Sequence, residues 1–325
     1  SLFSPSIHSP IVPTTLSQGK TALLLGRPSL SREDRMSRFL LLTLFLLASP
    51  AAFSADVTQH DITVYGQNIH YAEAGDGPPL VLLHGLWGGL NEWEPIIDSL
   101  SQSNRVIVMD FIGFHGSAKP DVQYHNALLA QFLAGFIEAL ELSDVTLIGH
   151  AMGANTATYT AVHHPDRLRA LVLVDGAGYR SPDRDLSKPP SEGMIRFRRV
   201  ATGSSLASTR GLLERRVTDK SIVTDTWVEE AFGLWVNSAR AIGDMMTDGG
   251  DVTEEEMRQI DLPTLVVWGT DDKVFSPDNA ERLGADIQRS EVRMIDGSGH
   301  LPQIEQTDAF LEAVIPFLNS TGTDR

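Results

Sequence analysis

The segment Gly149-His150-Ala151-Met152-Gly153 follows the apolar run Val145 to Ile148. Its two glycines are spaced as in a corner where a strand turns sharply into a helix and exposes the central side chain. At such a corner a serine hydroxyl can attack a carbonyl carbon. The central residue here is Ala151, and a methyl group cannot attack. The backbone does not need the hydroxyl: the N–H of Met152, first in the expected helix, still points to where a carbonyl oxygen would sit.

Two other segments supply complementary chemistry. His84-Gly85-Leu86-Trp87-Gly88-Gly89 follows the apolar run Leu80 to Leu83, and its glycines free the backbone to aim the N–H of Leu86, or of Trp87, at the same point. Leu86 and Met152 are thus candidate oxyanion-hole residues. Trp87 and His150, their neighbours in sequence, are candidate substrate-binding residues, although a position just before the apex argues for a His150 ring turned away from the pocket. Trp268-Gly269-Thr270-Asp271-Asp272 ends a late apolar run in two carboxylates, and Gly297-Ser298-Gly299-His300 brings a histidine after the next one. A histidine held in one tautomer by an acid is a general base, and corner, acid, histidine is the expected chain order. His300 is the candidate base and Asp272 its acid in preference to Asp271, with Asp175 in reserve.

These groups need a scaffold. Val57 to Val64 and Asn68 to Ala74 alternate apolar and polar residues across Tyr65-Gly66, predicting an antiparallel hairpin. From Leu80 onward the strand-like runs are apolar throughout: Leu80–Leu83, Arg105–Met109, Val145–Ile148, Ala170–Val174 and Leu265–Trp268. Strands covered on both faces read this way, so a parallel sheet is expected. Windows with helical spacing lie between them at Glu92–Leu100, Asn126–Leu140 and Gly153–Val162, and a strand at Glu291–Ile295 and a helix at Asp308–Leu318 follow. The alternation stops over residues 179–261, which open with a Pro-containing polar loop and continue as helix-like windows at Gly211–Arg216 and Thr226–Asp244. This predicts a core of residues 56–178 and 262–320, with a helical lid, 179–261, over the carboxyl ends of the strands.

Together these residues resemble the α/β-hydrolase superfamily over about Asp61 to Leu318, most closely the meta-cleavage-product hydrolases and related esterases. Asp110-Phe111-Ile112-Gly113-Phe114-His115-Gly116-Ser117 looks like the superfamily's D-x-x-G-x-G-x-S loop, and Leu213 to Asp225 looks like part of the helical lid. The resemblance implies an α/β fold with a mostly parallel eight-stranded sheet, helices on both faces and a lid between the sixth and seventh strands. It also implies hydrolysis of a small carboxylic ester or C–C bond substrate. The departure is Ala151. Losing a triad nucleophile costs on the order of 10⁶ in turnover, and roughly 10³ to 10⁴ over water survives from oxyanion stabilisation and binding. Ser117 lies on a different loop and is no substitute.

Three readings follow. A substitution has removed the serine of an active hydrolase; or His300 and Asp272 activate water for direct attack, as alanine at this apex in the aminoacrylate hydrolase-like branch suggests; or the pocket binds without catalysis. A pure binder has no use for the pair His300 and Asp272, which favours the catalytic readings. No histidine and carboxylate cluster at metal-ligand spacing and no phosphate-cradling glycine loop is evident, so neither metal nor organic cofactor is expected.

Composition bounds the partners. The 325 residues carry 26 Lys and Arg against 42 Asp and Glu, a net charge of −16, which disfavours nucleic acid. Residues 1–35, rich in Ser, Pro and Thr, read as a disordered or non-native leader. Met36 to Ala55 has a basic start, an apolar run from Phe39 to Ala48 and small residues after it, the pattern of a cleavable signal peptide for export to the periplasm or medium. Its apolar run is shorter than the roughly 20 residues of a membrane span, so no stable anchor is expected after cleavage. Cleavage would remove five basic and two acidic residues and leave a still more acidic chain without cysteine.

Overall fold

The computed structural model describes residues 56–176, 192–202, 205–246 and 252–321. Eight strands form one sheet: β1 (Thr58–Val64), β2 (Gln67–Ala74), β3 (Pro79–Leu83), β4 (Arg105–Met109), β5 (Val145–His150), β6 (Leu168–Val174), β7 (Thr264–Gly269) and β8 (Ser290–Ile295). Their spatial order is β1-β2-β4-β3-β5-β6-β7-β8. The hairpin β1–β2 and the β2–β4 pair are antiparallel and every later pair is parallel. The exchange of β3 and β4 brings β3 beside β5, with Leu83 opposite Gly149. The loop after β3 therefore opens beside the corner after β5.

Apolar residues on both faces of each inner strand explain the burial. Val81, Leu83, Leu147, Leu171 and Val266 face one core, with α2 (Asn126–Ala139) and α3 (Met152–His163), while Leu80, Leu82, Ile148, Val172 and Val267 face the other, with α1 (Glu94–Ser101) and the C-terminal helix. Between β6 and β7 lie α4 (Glu192–Ala201), α5 (Leu206–Arg216), α6 (Asp225–Asn237), α7 (Ala239–Met245) and α8 (Glu254–Met257); α9 (Asp278–Asp286), α10 (Pro302–Glu305) and α11 (Thr307–Thr321) complete the chain. Leu213, Val228, Trp235 and Ile242 of the insertion are buried in the first core. The insertion thus shares its apolar interior with the sheet.

The expected helix over 226–244 is two. Ser238 separates α6 from α7, and its Oγ accepts the main-chain N–H of His115, 3.1 Å away. A main-chain N–H from another loop meets the Ser238 side chain where the two helices join. The predicted leader (1–35), signal segment (36–55) and Pro-containing loop lie outside the described residues, and no described helix is long and apolar enough to cross a membrane.

Two glycines permit the close approach of α3 to the sheet. A Cβ on Gly153 would overlap the carbonyl oxygen of Leu83, and one on Gly149 that of Gly153. Both obstacles are backbone and cannot rotate away. Gly153→Ala is expected to destabilise the fold by about 2–4 kcal/mol, lowering the thermal unfolding midpoint by at least about 5 °C. A midpoint within about one degree of the parent protein contradicts this packing.

Candidate active site

The corner is built as the glycine spacing predicts. Ala151 has φ 49° and ψ −110°, a left-handed backbone outside the regions an alanine favours. Its N–H donates to the Val174 carbonyl at 2.9 Å and its carbonyl accepts from Asn155 N–H at 3.2 Å, so pairing on both sides holds the strained residue. Met152 begins α3, and the N–H groups of a helix's first turn have no intrahelical acceptor. The loop after β3 lies directly over this corner: a Cβ on Gly85 would stand 3.4 Å from that of Ala151. Gly88 N–H closes a turn onto the Gly85 carbonyl at 3.1 Å, leaving Leu86 and Trp87 as its central residues, whose N–H groups the closing bond does not use.

His300 and Asp272 meet. The imidazole Nδ1 donates to Asp272 Oδ2 at 2.8 Å, and Asp272 Oδ1 accepts from the N–H groups of Val274 (2.6 Å) and Phe275 (3.1 Å). Burial alone would raise the Asp272 pKa, but the hydrogen bond to His300, the charge of that ring and the two backbone donors bring it below the usual carboxylate value. Asp175, the reserve acid, accepts from Gly269 N–H at 3.0 Å behind the pair. Burial and the charge of Asp272 push the Asp175 pKa well above the usual carboxylate range. Asp271 is exposed. The His300 pKa is lowered to about 4, first by burial and then, against the pull of Asp272, by the neighbouring His150 and Arg216. A neutral imidazole at pH 7 is ready to accept a proton.

The remaining sequence candidates divide. Trp87 is half-buried, and both its polar groups bind the insertion: its Nε1 donates to the Ala201 carbonyl and its own carbonyl accepts from Trp235 Nε1, each at 2.9 Å. It borders a cavity of about 220 Å³ with Arg216, Trp227, Leu234, Leu301 and Ile304. His150 does not face such a space. Its ring is fully buried, Nε2 donating to the His300 carbonyl at 2.8 Å and Nδ1 lying 2.5 Å from Glu92 Oε1. The expectation of a substrate contact there is corrected to one of an inward-facing support, because side chains alternate along β5 and the corner exposes only the next residue.

Three buried polar residues carry no signal in the sequence that sets them apart. Glu92 falls in a helical window near its start, where an acid ordinarily means a solvated first turn, yet only 4% of it is exposed. Arg216, equally buried, pairs with it at 3.7 Å from the last turn of α5. His115 occupies the second glycine position of the D-x-x-G-x-G-x-S pattern with φ 39°; its Nε2 meets the Gly88 carbonyl, and its ring lies 5.1 Å from that of His84. For His115 alone, the misfit with the motif is a hint.

Two groups bring metal-ligand atoms within 4.8 Å of one another, namely Asp175, Asp272 and His300, and His84, Asp110 and His115. Separate strand ends assemble both, so no sequence spacing announces them. In the second group hydrogen bonds engage both ring nitrogens of His84: Nδ1–H donates to the Gly85 carbonyl at 2.8 Å, and Nε2 accepts Phe111 N–H, 3.3 Å away.

Residues 78–307 match the family model described as the alpha/beta hydrolase fold. The chain belongs to that family. This alpha/beta hydrolase is 30% identical over 264 residues to the 2-hydroxy-6-oxo-6-(2'-aminophenyl)hexa-2,4-dienoic acid hydrolase of Metapseudomonas resinovorans, a match covering 78% of this chain and 88% of the relative. Against the 2-hydroxymuconate semialdehyde hydrolase of Pseudomonas sp. strain CF600 the identity is 29% over 267 residues, with 77% and 89% covered. Its fold is similar to that of a meta-cleavage product hydrolase from Pseudomonas fluorescens IP01, solved as a serine-to-alanine mutant complexed with acetates: the TM-score is 0.71 and the identity 27%, over 80% of this chain and 97% of that one.

Buried neutral histidines give this alpha/beta hydrolase a defined acid response. Burial, with the neighbouring His115, lowers His84 to about 4, and burial also takes His115 to about 4 against the pull of the Gly88 carbonyl. With His300, the folded values lie below the unfolded 6.5, so the unfolded chain binds more protons between pH 6.5 and 4. Stability is expected to fall as pH drops through that window, by up to about 1.4 kcal/mol per pH unit for each histidine. Urea midpoints at pH 7, 6 and 5 check this, and His115→Gln should flatten the slope by about one proton's worth. A midpoint unchanged from pH 7 to 5 contradicts it.

Proposed function

We propose that this chain hydrolyses a small ester or C–C bond substrate by direct attack of water, in the space a serine hydroxyl would occupy beside Ala151. The observation that carries this reading is the buried His300–Asp272 hydrogen bond of 2.8 Å, kept together with a corner whose alanine holds φ 49°. A binding protein gains nothing from either.

The steps balance without a covalent enzyme intermediate. His300 Nε2 takes a proton from water as its oxygen bonds to the substrate carbonyl carbon, and the N–H groups of Leu86 and Met152 receive the developing oxyanion. Asp272 keeps the Nδ1 proton in place and stabilises the imidazolium. Collapse of the tetrahedral adduct breaks the C–O bond, or the C–C bond where the departing carbon's electron pair is delocalised into a conjugated carbonyl. The leaving group takes the proton from His300, and the other product is a carboxylic acid.

A conjugated keto acid is the favoured substrate class. Support comes from the relatives named for hexadienoic acid and muconate semialdehyde hydrolysis, and from the 220 Å³ cavity where Trp87 and Trp227 offer flat apolar walls. The insertion acts in this reading as the lid. Parent protein, Ala151→Ser and His300→Ala should be compared on a short-chain aryl ester and on a vinylogous diketone acid. The parent is expected to turn over at least one of them, His300→Ala to lose about 10²- to 10⁴-fold, and Ala151→Ser to gain activity with an initial burst. The acid limb of kcat/KM should lie near pH 4, where His300 protonates. Equal rates for parent and His300→Ala, or no turnover by either, overturn the proposal.

We also propose export, on the pattern of Met36 to Ala55. Expression of the full chain should yield periplasmic or secreted protein with an N-terminus near Asp56. Uncleaved protein retained in the cytoplasm contradicts this.

A further inference from the structure

One buried anion touches four segments around the proposed site: the loop after β3, the corner, the insertion and the turn after His300. Glu92 ends the short helical turn Leu90–Glu92, and its side chain is only 3% exposed. Its Oε1 lies 2.5 Å from His150 Nδ1, beside the corner, and its Oε2 lies 3.7 Å from an Nη of Arg216, in the insertion. Oε1 also accepts from Gly85 N–H, in the oxyanion loop, at 3.4 Å and from Gln303 Nε2, just after His300, at 3.3 Å.

His150 and Arg216 converge again on one residue. His150 Nε2 donates to the main-chain carbonyl of His300 at 2.8 Å, and the main-chain carbonyl of Arg216 accepts the N–H of His300 at 2.7 Å. Glu92, His150, His300 and Arg216 thus close a ring of contacts that holds both backbone polar groups of His300. His150 Nδ1 lies against Glu92 Oε1 while Nε2 holds the His300 carbonyl, so the ring is a spacer between the carboxylate and the main chain of His300. Burial on its own would raise the Glu92 pKa, but His150 and then Arg216 outweigh it and hold the carboxyl at about 2.

We infer that Glu92 is a positioning residue, which fixes the main chain of His300 through His150 and Arg216 so that the ring stays on Asp272 and in register with the Ala151 corner. The inference rests on the reading of His300 as the base. An ion pair serving the core alone would need no second contact to His300, and buried pairs often add no net stability. Removing the charge takes the counter-ion from Arg216 and the carboxylate from beside His150 Nδ1, which loosens both supports of the His300 main chain.

The test is the ring N–H resonance of His300 in the NMR spectrum, assigned by its loss in His300→Ala. In Glu92→Gln, shown folded by circular dichroism, this signal is expected to exchange with water at least about tenfold faster than in the parent, with Glu92→Asp intermediate. The double variant Glu92→Gln with Arg216→Met, which leaves less buried charge unbalanced, should lose the signal likewise. On a substrate that the parent turns over, Glu92→Gln should lower kcat about 10²-fold with KM within about threefold. A folded variant whose His300 N–H exchanges within about twofold of the parent rate overturns the inference. If neither variant folds, amide exchange in the parent decides: His300 and Gly85 N–H exchanging as slowly as the core strands supports the ring, and exchange as fast as exposed loops overturns it. The resonance and exchange measurements need no turnover, so the role of Glu92 stands or falls separately from water activation.

Discussion

The whole site depends on one constraint: β5 must turn into α3 within a single residue. That residue, Ala151, has φ 49°, a conformation costing a non-glycine residue on the order of 1–3 kcal/mol. Pairing to Val174 on one side and α3 on the other holds it there. The same turn fixes three directions at once. Met152 N–H opens the helix, the Ala151 methyl stands at the apex, and the His150 ring is driven inward to the carbonyl of His300. Exchanging a hydroxyl for hydrogen at the apex changes none of these directions, which is why the site's architecture and its nucleophile are separate questions.

Around that corner, burial sorts the ionisable groups into charged and neutral ones. Asp272 is held below the usual carboxylate range because two backbone N–H groups and His300 face it, whereas burial and its neighbour's charge push Asp175, behind it, well above that range. His84, His115 and His300 are neutral for want of water, and Glu92 remains charged because His150 and Arg216 lie against it. The result is a neutral base beside a fixed negative charge. That combination favours taking a proton from water and then stabilising the cation formed.

The sheet was largely legible because its information is local. Continuous apolar runs such as Leu80–Leu83 and Ala170–Val174 can only be strands covered twice, and alternation in Asn68–Ala74 marks the half-exposed edge. The base and acid were legible because each follows a strand on a loop with nearby glycines. Less readable was whatever depends on pairs distant in sequence. Glu92 looks like a helix-start acid until Arg216 meets it, Ser238 interrupts a helical pattern only because His115 N–H arrives from another loop, and His150 is indistinguishable in type from a substrate contact. Residue types state what chemistry is available; the pairing of β3 with β5 brings the loop after β3 to the corner.

The central claim, that water attacks directly with His300 as base, is tested most directly by a single-turnover experiment with protein in excess over an aryl ester, followed by rapid quench and intact-mass measurement of the protein. The account predicts acid and alcohol appearing together in one exponential phase, faster than buffer hydrolysis, with the protein mass unchanged throughout. An acyl group on the protein during turnover, or product formed no faster than in buffer, would contradict it.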